Sequence, residues 1–103
     1  MAFQRGQLTE AAKVESQHFR PIGHLADHEL RTSLQRRISS RQLECLWWVQ
    51  FGKSATDIGA ILGISPRTVE NHLFRACEVL GVKTRIQAVI RLRSVGLLGD
   101  EAP

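Results

Sequence analysis

At 103 residues the chain has room for one small domain, with a core too limited to wall a deep catalytic cleft. Its formal charge of +4 suits a polyanionic partner without requiring one. No apolar run approaches the roughly 20 residues of a membrane-spanning helix, and the polar start Met1-Ala2-Phe3-Gln4-Arg5-Gly6, with no apolar stretch after it, leads us to expect no secretory leader.

Residues 1–37 read as an N-terminal extension or linker, polar and weakly periodic, either loosely structured or helical. Helix punctuation is dense across 38–98, and 99–103 form a short tail. A first helix opens at Ser39, where Ser39 and Gln42 have capping-box spacing and Ile38 and Leu43 staple spacing. Leu43, Leu46, Trp47 and Val49 supply its apolar face, and Gly52 closes it. A second, two-turn helix opens at Ser54 with Asp57 in its first turn. Ile58, Ile61 and Leu62 are its apolar positions, and Gly63 stops it. Ser65 and Pro66 then start a longer helix that Gly81 ends. Val69, Leu73, Ala76 and Leu80 fall on one of its faces, with Arg67, Asn71, Phe74, Arg75 and Glu78 on the other. A last helix runs from Thr84, capped with Gln87, to Val95 before Gly96. Its Ala88, Val89, Leu92 and Val95 share one side, leaving Ile86 and Ile90 on another. Period-two alternation is nowhere sustained, so the expected fold class is all-α, four helices preceded by the short extension.

A two-turn helix, a glycine-containing turn (Gly63-Ile64-Ser65) and a longer helix make a helix-turn-helix. The second helix of such a unit fits the major groove of B-DNA if its outer face carries groups that read base edges. Arg67 and Arg75 suit phosphate or guanine, Asn71 suits adenine, Glu70 suits the amine of cytosine, and Phe74 suits a thymine methyl. Lys53, Ser54, Thr56 and Thr68 stand at helix starts, where donors and backbone N–H groups hold phosphates. Against this stands the plain alternative that charged residues on an outer helix face are solvated surface. An exposed Phe74 among them argues the other way.

The combination Gly52-Lys53-Ser54, Asp57-Ile58, Ile61 through Leu73, Leu80-Gly81-Val82, Arg85, Gln87-Ala88-Val89 and Gly96-Leu97-Leu98 resembles the LuxR/GerE-type domain over residues 38–98. Glu44-Cys45-Leu46-Trp47-Trp48 and Ala76 are closer to its quorum-sensing branch than to its response-regulator branch. The resemblance implies a transcription regulator that reads double-stranded DNA with the third helix. It implies base reading at Glu70, Asn71 and Phe74, and backbone contacts near Lys53, Ser54, Thr56, Arg67, Thr68 and Arg75. It also implies a dimer on a near-palindromic site through the fourth helix, here assigned to Ile86 and Ile90, and RNA polymerase as a further partner. Val79 departs from the family's usual Lys and removes one phosphate contact. Residues 1–37 are too few for the sensor or phosphoacceptor domain that precedes this module in family members. A stand-alone regulator, a fragment of a longer one, and a sensor-less chain that antagonises full-length relatives by mixed dimerisation all remain open.

No other chemistry competes. His72 flanks the core face with no Ser, Cys or carboxylate spaced to act with it. His24 and His28 lack further metal ligands. Cys45 and Cys77 sit in apolar helical patterns, as reduced thiols in the cytoplasm do. No enzyme activity, metal or cofactor is expected.

Overall fold

A computed structural model describes residues 28–103. Among them are five helices and no strand: α1 (28–37), α2 (Ser40–Val49), α3 (Ala55–Leu62), α4 (Pro66–Leu80) and α5 (Arg85–Ser94). None is long and apolar enough to cross a membrane.

The helix starts are those that side-chain capping dictates. Ser39 Oγ accepts from the Gln42 N–H and Gln42 Oε1 accepts from the Ser39 N–H, each at 3.0 Å. Ser54 and Asp57 exchange the same pair of bonds at the head of α3, as do Thr84 and Gln87 at the head of α5. Ser65 caps α4, with Pro66 in the first turn where no donor is missed. Each cap satisfies N–H groups that the helix itself leaves orphaned, contributing about 1 kcal/mol.

Two of the helix ends position the site. Gly63 turns into the left-handed region (φ 74°), and the next N–H, of Ile64, returns to the Gly59 carbonyl at 3.0 Å. Gly81 (φ 68°) ends α4 likewise, with Val82 N–H returning to the Cys77 carbonyl.

One buried cluster joins the helices. Leu46, Ile58, Val69, Leu73 and Leu92 are almost fully buried at its centre, and Leu34, Ile38, Cys45, Ala76, Leu80, Ala88 and Leu98 surround them. Burying each large aliphatic side chain stabilises by about 1.5–3 kcal/mol, which is what holds short helices together. α4 is the hub, packing on α2, α3 and α5.

The structure departs from the sequence reading in places. Ile61, counted with the inward positions of α3, is 45% exposed, and α3 instead buries Ala55, Ile58 and Gly59. An eight-residue helix has room for one inward stripe, and Ala55, Ile58 and Gly59 (i, i+3, i+4) take it. α2 buries Gln42 and Cys45, while Trp47 and Trp48 are only partly buried. Leu34, within the stretch read as an extension, is buried in the common cluster.

Candidate nucleic-acid interface

The site is built from the joint between α3 and α4. At Gly59 the helices approach so closely that a Cβ there would lie 2.5 Å from the Ile64 carbonyl oxygen and 3.3 Å from the Pro66 nitrogen. The turn Gly63-Ile64-Ser65 therefore lies directly on α3, and Ile64 packs partly buried against the core. Val69, Leu73, Ala76 and Leu80 anchor α4 from beneath. That leaves its other face to solvent over 15 residues, a length of about 22 Å.

On that face Arg67, Glu70, Asn71, Phe74 and Arg75 are all exposed, Phe74 at 66%. Thr68 is half-buried. Its hydroxyl lies 2.8 Å from that of Ser65, and its N–H donates to Ser65 Oγ, so it serves the cap of α4. Ser54 likewise serves the cap of α3, accepting from the Asp57 N–H at 3.1 Å, and remains exposed. Lys53 and Thr56 are exposed beside it. Ile86 and Ile90 stand apart from this face on α5, exposed by 57% and 61%.

The carboxylate of Glu70 is not bare. Arg85, the first residue of α5, donates its Nη2–H to Glu70 Oε1. Such a half-exposed pair is worth only about 0–1 kcal/mol of stability, so its interest is where it holds the two groups. With Leu73, Phe74, Cys77, Lys83 and Thr84 they line an open notch of about 270 Å³ between α4 and α5. Sequence reasoning assigned Arg85 no role. It is fifteen residues from Glu70, and only the turn at Gly81 brings them together.

His72 is half-buried on α4. His28 is exposed, while His24 lies outside the described residues. No group of three or more metal-ligating side chains occurs among the described residues. Burial pushes the thiols of Cys45 and Cys77 upward, Arg41 and Arg85 respectively pulling them partly back, so neither is an activated thiolate. Val79, where the family usually has Lys, is partly buried against the core, and its carbonyl accepts from Arg37 Nη2 at 3.2 Å.

A short helix, a glycine turn and a longer helix whose outer face is polar and exposed, with Arg67 and Arg75 beside Glu70, Asn71 and Phe74, define a helix-turn-helix protein. The chain belongs to the luxR family of bacterial regulatory proteins, whose model matches residues 36–92. It is 34% identical over 70 residues to the transcriptional activator protein VanR of Vibrio anguillarum, covering 68% of this chain and 29% of that protein. To AhyR of Aeromonas hydrophila, also a transcriptional activator protein, it is 39% identical over 64 residues, 62% of this chain and 25% of the relative. To RpaR of Rhodopseudomonas palustris, an HTH-type quorum sensing-dependent transcriptional regulator, it is 38% identical over 64 residues, 62% and 26% of the two chains. The chain thus spans less than a third of the length of these relatives. No solved structure matches it.

Proposed function

We propose that this protein is a sequence-specific DNA-binding transcription regulator that lays α4 in the major groove and binds a near-palindromic site as a dimer. The observation that carries the reading is the outer face of α4. A helix anchored by four buried residues presents Arg67, Asn71, Phe74 and Arg75 together to solvent, with 66% of Phe74 exposed. Two guanidiniums, an amide and an apolar ring on one helical face match the donor, acceptor and methyl pattern of the major groove better than they match water. Asn71 reads adenine, Glu70 accepts from cytosine, and Phe74 meets a thymine methyl. Arg67 and Arg75, with Lys53, Ser54, Thr56 and Thr68 at the helix starts, hold the flanking phosphates.

Dimerisation uses α5. Its inner side is taken by Ala88, Val89 and Leu92, so Ile86 and Ile90, one turn apart and more than half exposed, are left for a second copy. The interface is small. Association in free solution is therefore weak, and DNA strengthens it by holding two copies on adjacent half-sites.

The test is salt-dependent binding of the full chain to duplexes selected from a random pool, compared with scrambled controls. The reading requires a preferred duplex with two-fold symmetry. Equal affinity for selected and scrambled duplexes at every salt concentration would reject it.

A further inference from the structure

Glu70 is exposed on α4 together with Asn71 and Phe74, where a docked duplex would bring phosphates. A free carboxylate is a poor occupant of such a face. It repels phosphate, and its flexible side chain must be ordered before it can read a base. Both difficulties are met by Arg85. Anchored at the head of α5 next to the capped Thr84, it holds Glu70 Oε1 from the side of the notch. Only one carboxylate oxygen is engaged. The other, Oε2, keeps its acceptor sites, and the residue stays half-exposed (51%) toward solvent.

We infer that Arg85 is a positioning residue for base selection: it fixes the rotamer of Glu70 and offsets its charge, so that Oε2 is presented to the exocyclic amine of one cytosine in each half-site. This rests on the proposed docking of α4 in the major groove. Arg85 itself touches no base. Its main effect falls on the base pair that Glu70 reads, because Glu70 is the side chain to which the Arg85 guanidinium donates. A rival role for the same guanidinium is direct contact with phosphate after letting go of Glu70, and the two roles leave different marks on selectivity.

The experiment is selection from a pool of random-core duplexes at fixed salt, using the full chain as wild type, Glu70→Ala, Arg85→Ala, Arg85→Lys and the double alanine variant. Glu70→Ala and Arg85→Ala are expected to erase preference at the same base pair, with discrimination there falling roughly 5- to 100-fold. Preferences elsewhere in the site stay intact. The double variant is no worse than either single one, because the two residues act as a unit. Arg85→Lys, which keeps the charge, recovers part of the preference, as a merely structural defect would not. The inference is overturned if Arg85→Ala lowers affinity for all duplexes equally with every preference retained, the mark of a phosphate contact. It is overturned equally if Glu70→Ala changes no preference. Failure of the wild-type chain to select any duplex marks failure of the DNA-binding reading itself, a separate and earlier result.

Discussion

Gly59→Ala tests the physical basis of the helix-turn-helix angle, because two effects of opposite sign compete at one atom. By helix propensity the substitution stabilises α3 by about 0.5–1 kcal/mol, since alanine is the better helix former. By packing it destabilises. The new Cβ would sit 2.5 Å from the Ile64 carbonyl oxygen, well inside the 3.4 Å where ordinary contact begins. The obstructing atom is backbone, held by the turn that Gly63 closes, and cannot rotate away as a side chain would. Overpacking of this kind costs about 1–3 kcal/mol, with the rigid neighbour favouring the upper half. The packing effect wins, for a net loss of about 1–2 kcal/mol. With a denaturation slope near 1 kcal/mol/M, that lowers the urea midpoint by about 1–2 M. Ala60→Gly on the exposed side of α3 is the control. It should lose about 1 kcal/mol through propensity alone, so both directions of exchange destabilise at adjacent residues. Gly59→Ala should also weaken duplex binding by the remaining folded protein, because relieving the clash shifts α4 on α3, whereas Ala60→Gly should not. A midpoint for Gly59→Ala at or above that of the wild type would refute the reasoning, and with it the claim that close approach sets the angle.

Arg67→Ala and Arg75→Ala should each weaken duplex binding nearly uniformly across sequences, making the salt dependence shallower by about one unit for every phosphate left without its arginine. Unchanged binding in both variants would count against the outer face of α4 as the docking surface. Trp47→Ala should destabilise the fold by about 2–4 kcal/mol, read from the denaturation midpoint, near the lower end for truncated aromatics because Trp47 is only partly buried. Trp47 packs edge-on against Trp48 and Phe51 at centroid distances of 4.9 Å, so Trp47→Phe should recover most of the loss, and equal midpoints for both variants would refute this packing account. Ile86→Glu with Ile90→Glu should leave the monomer folded yet abolish paired loading of a two-half-site duplex in sedimentation; undiminished cooperativity would place the interface elsewhere. Cys45 should resist alkylation at neutral pH in the native protein and react fully in urea. Because burial raises its pKa, the folded state binds the proton more tightly than the unfolded state does, and the stabilisation from that neutral thiol is lost as pH climbs above the ordinary thiol range. Equal alkylation rates with and without urea would contradict its burial.

What the sequence by itself determined was local. Ser39, Ser54, Ser65 and Thr84 began helices, and Gly63 and Gly81 ended them, because caps and left-handed turns depend on residues within one helical turn of each other. The inward stripe of α4 was legible for the same reason: Val69, Leu73, Ala76 and Leu80 repeat at the helical period, and all four are buried. So, by complement, was its outward face. Tertiary structure decided what distant segments bring to one another. Leu34, in a stretch of weak periodicity, is buried because α1 finds a surface made by later helices. Ile61 remains outside because the stripe of Ala55, Ile58 and Gly59 takes the inward side of the short α3. Gly59 reads in the sequence as a weak helix residue, and its reason is a carbonyl oxygen in the following turn. The partner of Glu70 was hidden for the same cause. No periodicity within α4 announces an arginine at the head of α5, since the pair exists only after Gly81 has folded one helix back beside the other.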